Sequence, residues 1–373
     1  MHILSAKHLP ILLSVIFICL VFTVRGQNSI SGTVRDDKGE TLPGVTVFLS
    51  GTKAITAADN NGKFSLKNVA PGSYTLTARF VGFQTFTLAI TIAKDVTVNI
   101  KLQPSVSSLS EVKITAYSEE YYQKFRQYFL GTTLNAEKCT ILNKEALHFH
   151  FDKASNTLTV TADDFLEIEN KALGYKIKYL LQSFRLNEEE KLLAYQGQSV
   201  FEDLKAETPK EAKTWKQNRE IAYQGSIYHF LRSVYKGTLQ KDGYAVYTIL
   251  NKTVPGSTDD GAQMRPDRKP LKADSLMKVI DADVKYFNHK QSLFVVYTIY
   301  EPEAYSNTGG GYDVKMTTKW NTFPKGQYSV LSFLVPEIVV DKHGYYSPPG
   351  SLAVEGRMAW EQIADLNPME YGN

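Results

Sequence analysis

Two groups of residues have types and spacings that could do chemistry. The first surrounds a helix start, where Ser226 is followed by His229 and Arg232 one turn apart, with Arg219 and Tyr223 just upstream. Free backbone amides and cations at such a start suit an anion or a carboxylate-bearing ligand, and a hydroxyl near an imidazole is also the pair a hydrolase would use. The plainer reading is that Ser226 only caps the helix and that the cations stay solvated or pair with strand carboxylates. Arg219, Tyr223, Ser226, His229 and Arg232 are therefore the candidate ligand or partner surface. Arg232 falls outside the apolar stripe of Ile227, Phe230, Leu231 and Val234, so Arg232→Ala is expected to cost less than about 1.5 kcal/mol. The second group is His148-Phe149-His150-Phe151-Asp152, whose alternation puts His148, His150 and Asp152 on one strand face as a partial metal site. No further His or Cys group stands near it in sequence, and the phenylalanines already account for a strand, so no metal and no cofactor are expected.

Other chemical signatures are incomplete. Gly197-Gln198-Ser199-Val200-Phe201 lacks the final glycine of a nucleophile elbow. Gly309-Gly310-Gly311 lacks the Lys-Ser/Thr of a phosphate loop. Cys139, within Leu134 to Leu142, has no glycine-rich elbow and reads as a small buried residue. No catalytic residue is assigned, and the chain is expected not to be an enzyme.

The elements that must position these groups are legible in the pattern. Thr208-Pro209-Lys210-Glu211 is a capping box with proline at the first helical position. Gly225-Ser226 breaks and restarts the chain, and Ile227, Phe230, Leu231, Val234 and Tyr235 give a second amphipathic helix, so that a helical pair spans 209–238. Tyr121, Phe125 and Phe129, spaced four apart, predict a helix from Tyr117 to Leu130 ending at Gly131. Strands are expected at 157–161, 165–168, 175–179, 191–195, 292–300 and 328–340, a polar loop at 255–275, and a short closing helix from Trp360 to Leu366.

Of 373 residues, 42 are Lys or Arg and 39 are Asp or Glu, a formal net charge of +3. Residues 1–26 read as a signal peptide, with a weakly basic start, an apolar run from Ile11 to Val24 and a small-residue cleavage site that leaves Gln27 as the mature N-terminus. That run is shorter than the roughly 20 residues needed to span a bilayer, so no transmembrane helix is expected after cleavage. Cys19 is preceded by Phe17-Ile18, where a lipoprotein signal needs a small residue. The leader holds Lys7 and Arg25 and no acid, so its loss takes the net charge from +3 to +1, which leaves no electrostatic footprint for nucleic acid. Cys139 alone remains, and no intramolecular disulfide can form. An exported protein of the periplasm or outer membrane is expected.

Residues 27–103 alternate with period two, as in Val45/Val47/Leu49, Tyr74/Leu76/Ala78/Phe80 and Val96/Val98/Ile100/Leu102. Turn signals at Asp36-Asp37-Lys38-Gly39, Pro43-Gly44, Asp59-Asn60-Asn61-Gly62 and Pro71-Gly72 separate six or seven short strands, predicting an antiparallel β-sandwich. Gly44 and Gly62 permit the turns, and Phe64 and Tyr74 are placed to fill the core. Ile30-Ser31-Gly32-Thr33-Val34, Leu42-Pro43-Gly44-Val45-Thr46-Val47, Asp59-Asn60-Asn61-Gly62-Lys63-Phe64, Pro71-Gly72-Ser73-Tyr74-Thr75-Leu76 and Val81-Gly82-Phe83 resemble the carboxypeptidase-regulatory-like, transthyretin-like domain at the front of many Bacteroidetes envelope proteins. The resemblance implies a carbohydrate-binding-like accessory fold without the peptidase. No histidine here begins the His-x-x-Glu of the peptidase zinc site.

The fold expected overall is mainly β with some α: the transthyretin- or Ig-like sandwich, a linker at 104–116, and a larger β-rich α+β region over 117–373. Leu109 to Ala116 resembles the connector of TonB-dependent transporters. The 257 residues after Ala116 are too few for a plug and a barrel of about 22 strands, so the chain is no transporter, although a connection to such an uptake system as an accessory stays open. Residues 168–175, 218–233 and 358–366 resemble segments of Bacteroidetes proteins that carry the same N-terminal domain, a resemblance that implies no activity. The leading expectation is a non-enzymatic docking or ligand-binding module for an envelope protein or glycan; the alternative is a hydrolase using Ser226/His229 or a metal at His148/His150.

Overall fold

A computed structural model describes residues 28–105, 118–190, 192–251, 265–280, 284–299, 323–347 and 350–372. The leader, most of the 104–116 linker, the loop residues 252–264 and the triple glycine lie outside the described residues. The fold is mainly β, arranged as three layered units each with its own buried core.

The first unit is a sandwich of eight strands, β1 (Asn28–Arg35), β2 (Thr46–Leu49), β3 (Ile55–Ala57), β4 (Lys63–Val69), β5 (Gly72–Arg79), β6 (Phe86–Ile92), β7 (Val96–Thr97) and β8 (Ile100–Lys101). One sheet runs β4-β1-β7 with β8 also on β1, the other β3-β2-β5-β6. The expected all-antiparallel pairing holds except that the short β7 and β8 lie parallel to β1. The alternating residues meet between the sheets, with Val47, Leu76 and Ala78 at 0% exposure and Phe64 and Tyr74 also buried. Gly62 has φ +70° in the turn before β4, and a Cβ there would lie 2.6 Å from the Val34 carbonyl oxygen, so both conformation and space require glycine.

The second unit is a six-stranded antiparallel sheet with one covered face. Its strands are β9 (Cys139–Ile141), β10 (Leu147–Asp152), β11 (Thr157–Ala162), β12 (Leu166–Asn170), β13 (Tyr175–Asn187) and β14 (Leu192–Asp203), ordered β10-β11-β13-β12-β9 with β14 along β13. Helix α1 (Glu119–Leu130) covers one face: Phe125 stacks on Phe129 and meets Phe184 edge-on at 4.9 Å, and Phe129 meets Tyr179 at 5.1 Å. A single turn, α2 (Leu134–Glu137), follows, capped by the Thr133 side chain.

The third unit begins with the helical pair, α3 (Pro209–Tyr223) and α4 (Ile227–Lys236). The Thr208 hydroxyl accepts the Glu211 amide at 3.2 Å, as the capping box requires, while the Glu211 carboxylate accepts from Glu207 rather than Thr208. Nine strands follow: β15 (Tyr244–Asn251), β16 (Arg265–Pro266), β17 (Met277–Val279), β18 (Val284–Phe287), β19 (Leu293–Tyr297), β20 (Gln327–Phe333), β21 (Ile338–Asp341), β22 (Tyr346–Ser347) and β23 (Leu352–Gly356). They form sheets β16-β15-β19-β20-β23 and β17-β18-β21-β22 around the α4 stripe, where Phe230 and Leu231 pack with Phe287, Leu293, Leu331 and Ile338. The closing segment is two 3-10 turns, Arg357–Trp360 and Ile363–Asp365, rather than the single helix expected.

The units are fastened together. On the outer face of β2, Phe48 is fully buried and meets the Phe165 ring at 5.5 Å. The chain after β2 bridges β14 in parallel: Gly51 N–H donates to Ser199 O at 2.7 Å and Phe201 N–H to Thr52 O at 2.9 Å. The β21–β22 turn reaches the sandwich through a Tyr345–Thr75 hydroxyl pair at 3.0 Å.

Candidate functional site

Helix α3 reads the turn between β12 and β13 through its carbonyls. Asn170, fully buried, accepts the Ala172 and Leu173 amides on its Oδ1 and donates its Nδ2 to Ala364 O at 2.9 Å. Trp215 Nε1 donates to Lys171 O, Asn218 Nδ2 to Ala172 O, and Arg219 to Leu173 O at 2.6 Å and Gly174 O at 3.0 Å. Gly174 has φ +69°, and a Cβ there would sit 2.2 Å from the Trp215 ring. Arg219 also lies over the Tyr175 ring at 3.9 Å and pairs with Asp203 at 3.2 Å. Its Nε and Nη2 are therefore turned to the chain itself.

The five predicted surface residues do converge, but around the protein's own backbone. The Ser226 hydroxyl accepts the His229 amide at 3.0 Å, a helix cap. The His229 ring does not face that hydroxyl: its Nδ1 accepts the Gly225 amide at 3.2 Å and lies 3.0 Å from the Tyr244 hydroxyl. Burial lowers its pKa to about 4, keeping it neutral. The Ser226/His229 pair thus lacks the hydroxyl-to-ring contact of a nucleophile and base.

Arg232 overturns the expectation of a surface cation. It is 3% exposed, and it donates through Nε to His343 O, through Nη2 to Met369 O at 2.6 Å, and through Nη1 to Tyr371 O and the Tyr223 hydroxyl. Helix α4 is buried on every side, because the strap Asn367–Tyr371 and the β21–β22 turn cover the face opposite its stripe. The strap also ties back to the sandwich: Met369 N–H donates to Gly51 O at 2.8 Å, Met369 enters the sandwich core, and the Glu370 carboxylate accepts the Lys53 amide at 3.0 Å.

Beside this hub lies an acidic pair that the sequence reading passed over. Glu361 accepts the Ile227 amide at the start of α4 at 3.4 Å and has Arg357 at 3.8 Å; burial pushes its pKa up to about 8 despite that arginine. Asp365 accepts from Thr133 and Asn135, and burial raises it to about 6. The i, i+4 spacing of Arg357 and Glu361 was the available signal. The cavity among Tyr223, Ser226, Tyr228, Arg232, Glu361 and Asn367 has a volume of about 20 Å³. That is room for about one water molecule, far below the several hundred Å³ of a substrate site.

His148, His150 and Asp152 share one face of β10 as expected. His148 pairs with Asp163 at 2.6 Å, and Asp152 caps the following turn through Ala154 and Ser155. Among the described residues no group of three or more His, Cys, Asp or Glu could hold a metal. Burial raises the Cys139 thiol to about 12, well away from a nucleophile's range. At the rim of the sandwich, Arg35, Asp37, Lys38, Asn99 and Lys101 line an open groove of about 630 Å³. No helix among the described residues is long and apolar enough to cross a membrane.

Residues 30–114 match the family model of the CarboxypepD_reg-like domain. The CarboxypepD_reg-like match covers less than a quarter of the chain and includes the sandwich strands from the third residue of β1 onward. Among curated proteins, a TonB-dependent receptor P39 of Formosa agariphila is 30% identical over 100 residues, 27% of this chain and only 9% of that protein. Among solved structures, a cohesin-X-dockerin complex of Acetivibrio cellulolyticus is 26% identical over 21% of this chain and 58% of the other, with a TM-score of 0.20. A DUF3823 family protein of Bacteroides ovatus is 13% identical over 48% of this chain and 82% of the other, with a TM-score of 0.18. The chain thus spans less than two thirds of the first two of these relatives.

Proposed function

We propose that this is a non-enzymatic envelope protein in which the CarboxypepD_reg-like sandwich is the docking module and the two following units are the body that holds it. The observation that carries the reading is the occupation of Arg219, Ser226, His229 and Arg232 by the protein's own main chain around a cavity of about 20 Å³. Groups that could have served a reaction instead cap α4, hold the β12–β13 turn and, through Arg232, anchor the strap that reaches the sandwich. Export and a periplasmic or outer-membrane place follow from the leader in the sequence. The stretch of identity with a TonB-dependent receptor makes an uptake system of that kind the first partner to test. A protein is the first partner to test, since among the described residues Tyr74, Tyr175, Tyr179, Tyr244 and Tyr297 are buried and cannot serve as a stacking platform for a glycan.

Photo-crosslinkers at Lys101 in the sandwich groove and at the exposed Lys213 of α3, introduced into the full exported chain, test the reading in cells. An envelope protein captured from Lys101 and not from Lys213 is expected, together with background rates against ester, peptide and glycoside substrates. Turnover abolished by both Ser226→Ala and His229→Gln would overturn the non-enzymatic reading, and capture from Lys213 alone would overturn the role given to the sandwich.

A further inference from the structure

Edge strands expose unpaired backbone amides and carbonyls, and natural proteins blunt them with charge, proline or bulges. Strand β6 has none of these. It is the last strand of its sheet, pairing among the described residues only with β5, without a register shift. The fourteen residues from Phe80 to Ala93 carry no charge and no proline. Thr87, Leu88, Ala89 and Thr91 are exposed, Leu88 at 38%, while Phe86 and Ile90 are half-buried.

The strand reads the same in both directions by residue class. About Ala89, Leu88 mirrors Ile90, Thr87 mirrors Thr91, and Phe86 mirrors Ile92. Two copies laid antiparallel about a two-fold axis through Ala89 would therefore set threonine opposite threonine on one face and apolar opposite apolar on the other. Those are the favourable cross-strand pairs, and a one-residue slip would lose them all. A two-fold contact requires one patch to complement itself, and this strand meets that requirement.

We propose that β6 is a homodimerisation edge, pairing antiparallel with β6 of a second copy in the register that places Ala89 opposite Ala89. The two four-stranded sheets then join into one of eight strands, β3-β2-β5-β6 followed by its symmetry mate, through roughly six to eight main-chain hydrogen bonds. The proposal is independent of the docking role given to the sandwich.

Light scattering and sedimentation on the full exported chain test it. A concentration-dependent dimer is expected. Ala89→Lys and Ala89→Glu each bring like charges together on the axis and should weaken dimerisation by about tenfold or more, and mixing the two variants should restore it as a heterodimer. Ala89→Cys, treated with copper phenanthroline as oxidant, should form a disulfide dimer, whereas Thr91→Cys, which faces residue 87, should not. A monomer up to millimolar concentration overturns the proposal, as does a dimer that Ala89→Lys leaves unchanged. Equal crosslinking at both cysteines overturns the register.

Discussion

Replacing Arg232 tests the strap hub most directly. Arg232→Met keeps an unbranched stem about as long as the arginine's out to Nε and removes the contacts to His343 O, Met369 O, Tyr371 O and the Tyr223 hydroxyl. A hydrogen bond from a charged donor contributes about 1.5–3 kcal/mol, and a buried acceptor left unpaired costs about 1–3 kcal/mol. Taking the guanidinium out of water costs several kcal/mol in the folded protein, and losing the cation returns that part. Subtracting it from four bonds leaves a net loss of about 3–5 kcal/mol, the range seen when one partner of a buried ionic contact is removed. Leu231→Ala, a truncation at 0% exposure, should cost about 2–5 kcal/mol. The two are therefore expected to destabilise alike, instead of the arginine being the cheap surface change that the sequence suggests. Urea unfolding followed by circular dichroism gives the midpoint, and hydrogen exchange at 367–371 reports whether the strap loosens first. Arg232→Lys, which keeps the charge but not the planar fork, should recover only part of the loss. An Arg232→Met variant within about 1 kcal/mol of the parent, with the strap still protected, would refute the reasoning.

Gly174→Ala should destabilise by more than about 1 kcal/mol and disturb Trp215 fluorescence, since φ is +69° and the new Cβ would lie 2.2 Å from the ring; an unchanged midpoint would contradict the packing of α3 on that turn. Stability should fall between pH 6.5 and 8, because Glu361 keeps its proton in the folded state up to about 8 but loses it near 4.5 when unfolded, so the folded state binds more protons in that window. Below pH 6.5 the His229 ring, lowered to about 4, works the other way, since the unfolded state then binds the extra proton. Glu361→Gln should flatten the fall in melting temperature from pH 6.5 to 8.5, and an identical slope in the variant would rule the carboxyl out. A fragment of residues 27–105 should unfold cooperatively on its own core, but at a lower midpoint than the sandwich in the full chain, since it exposes Phe48 and loses Met369; a midpoint equal to that in the full chain would show that the body contributes nothing to it.

Local signals were read well where one side chain meets its own neighbours. Thr208 caps α3, Gly62 turns the chain before β4, and the α4 stripe faces the core, because each depends on residues within a few positions. The mainly β fold was legible for the same reason. Arg232 was misread because its partners lie 111, 137 and 139 residues away. An amphipathic pattern says which face is apolar, and it cannot say that the polar face will be buried against carbonyls. The segments 168–175, 218–233 and 358–366 looked like separate signatures in the sequence. In space they are one junction: Asn170 holds Ala364, Arg219 holds Leu173 and Gly174, and Glu361 meets the first turn of α4. Glu361 and Asp365 escaped notice because the i, i+4 spacing of Arg357 and Glu361 says that the two charges are neighbours and not that they are buried.

The strap also sets an order of assembly. Its bond from the Lys53 amide to the Glu370 carboxylate closes a loop of 317 residues, and loops that long form late, since their closure entropy must be met before the contact returns anything. At a synthesis rate of about 5–20 residues per second, the sandwich exists for tens of seconds before Met369 is made. For that interval its core lacks the Met369 side chain, so the newborn sandwich is looser than the finished one. Docking of the strap is then the last of the sandwich's fastenings to form, after those of Thr52 to β14, Phe48 to Phe165 and Thr75 to Tyr345, and a chain cut short before Met369 would lack it.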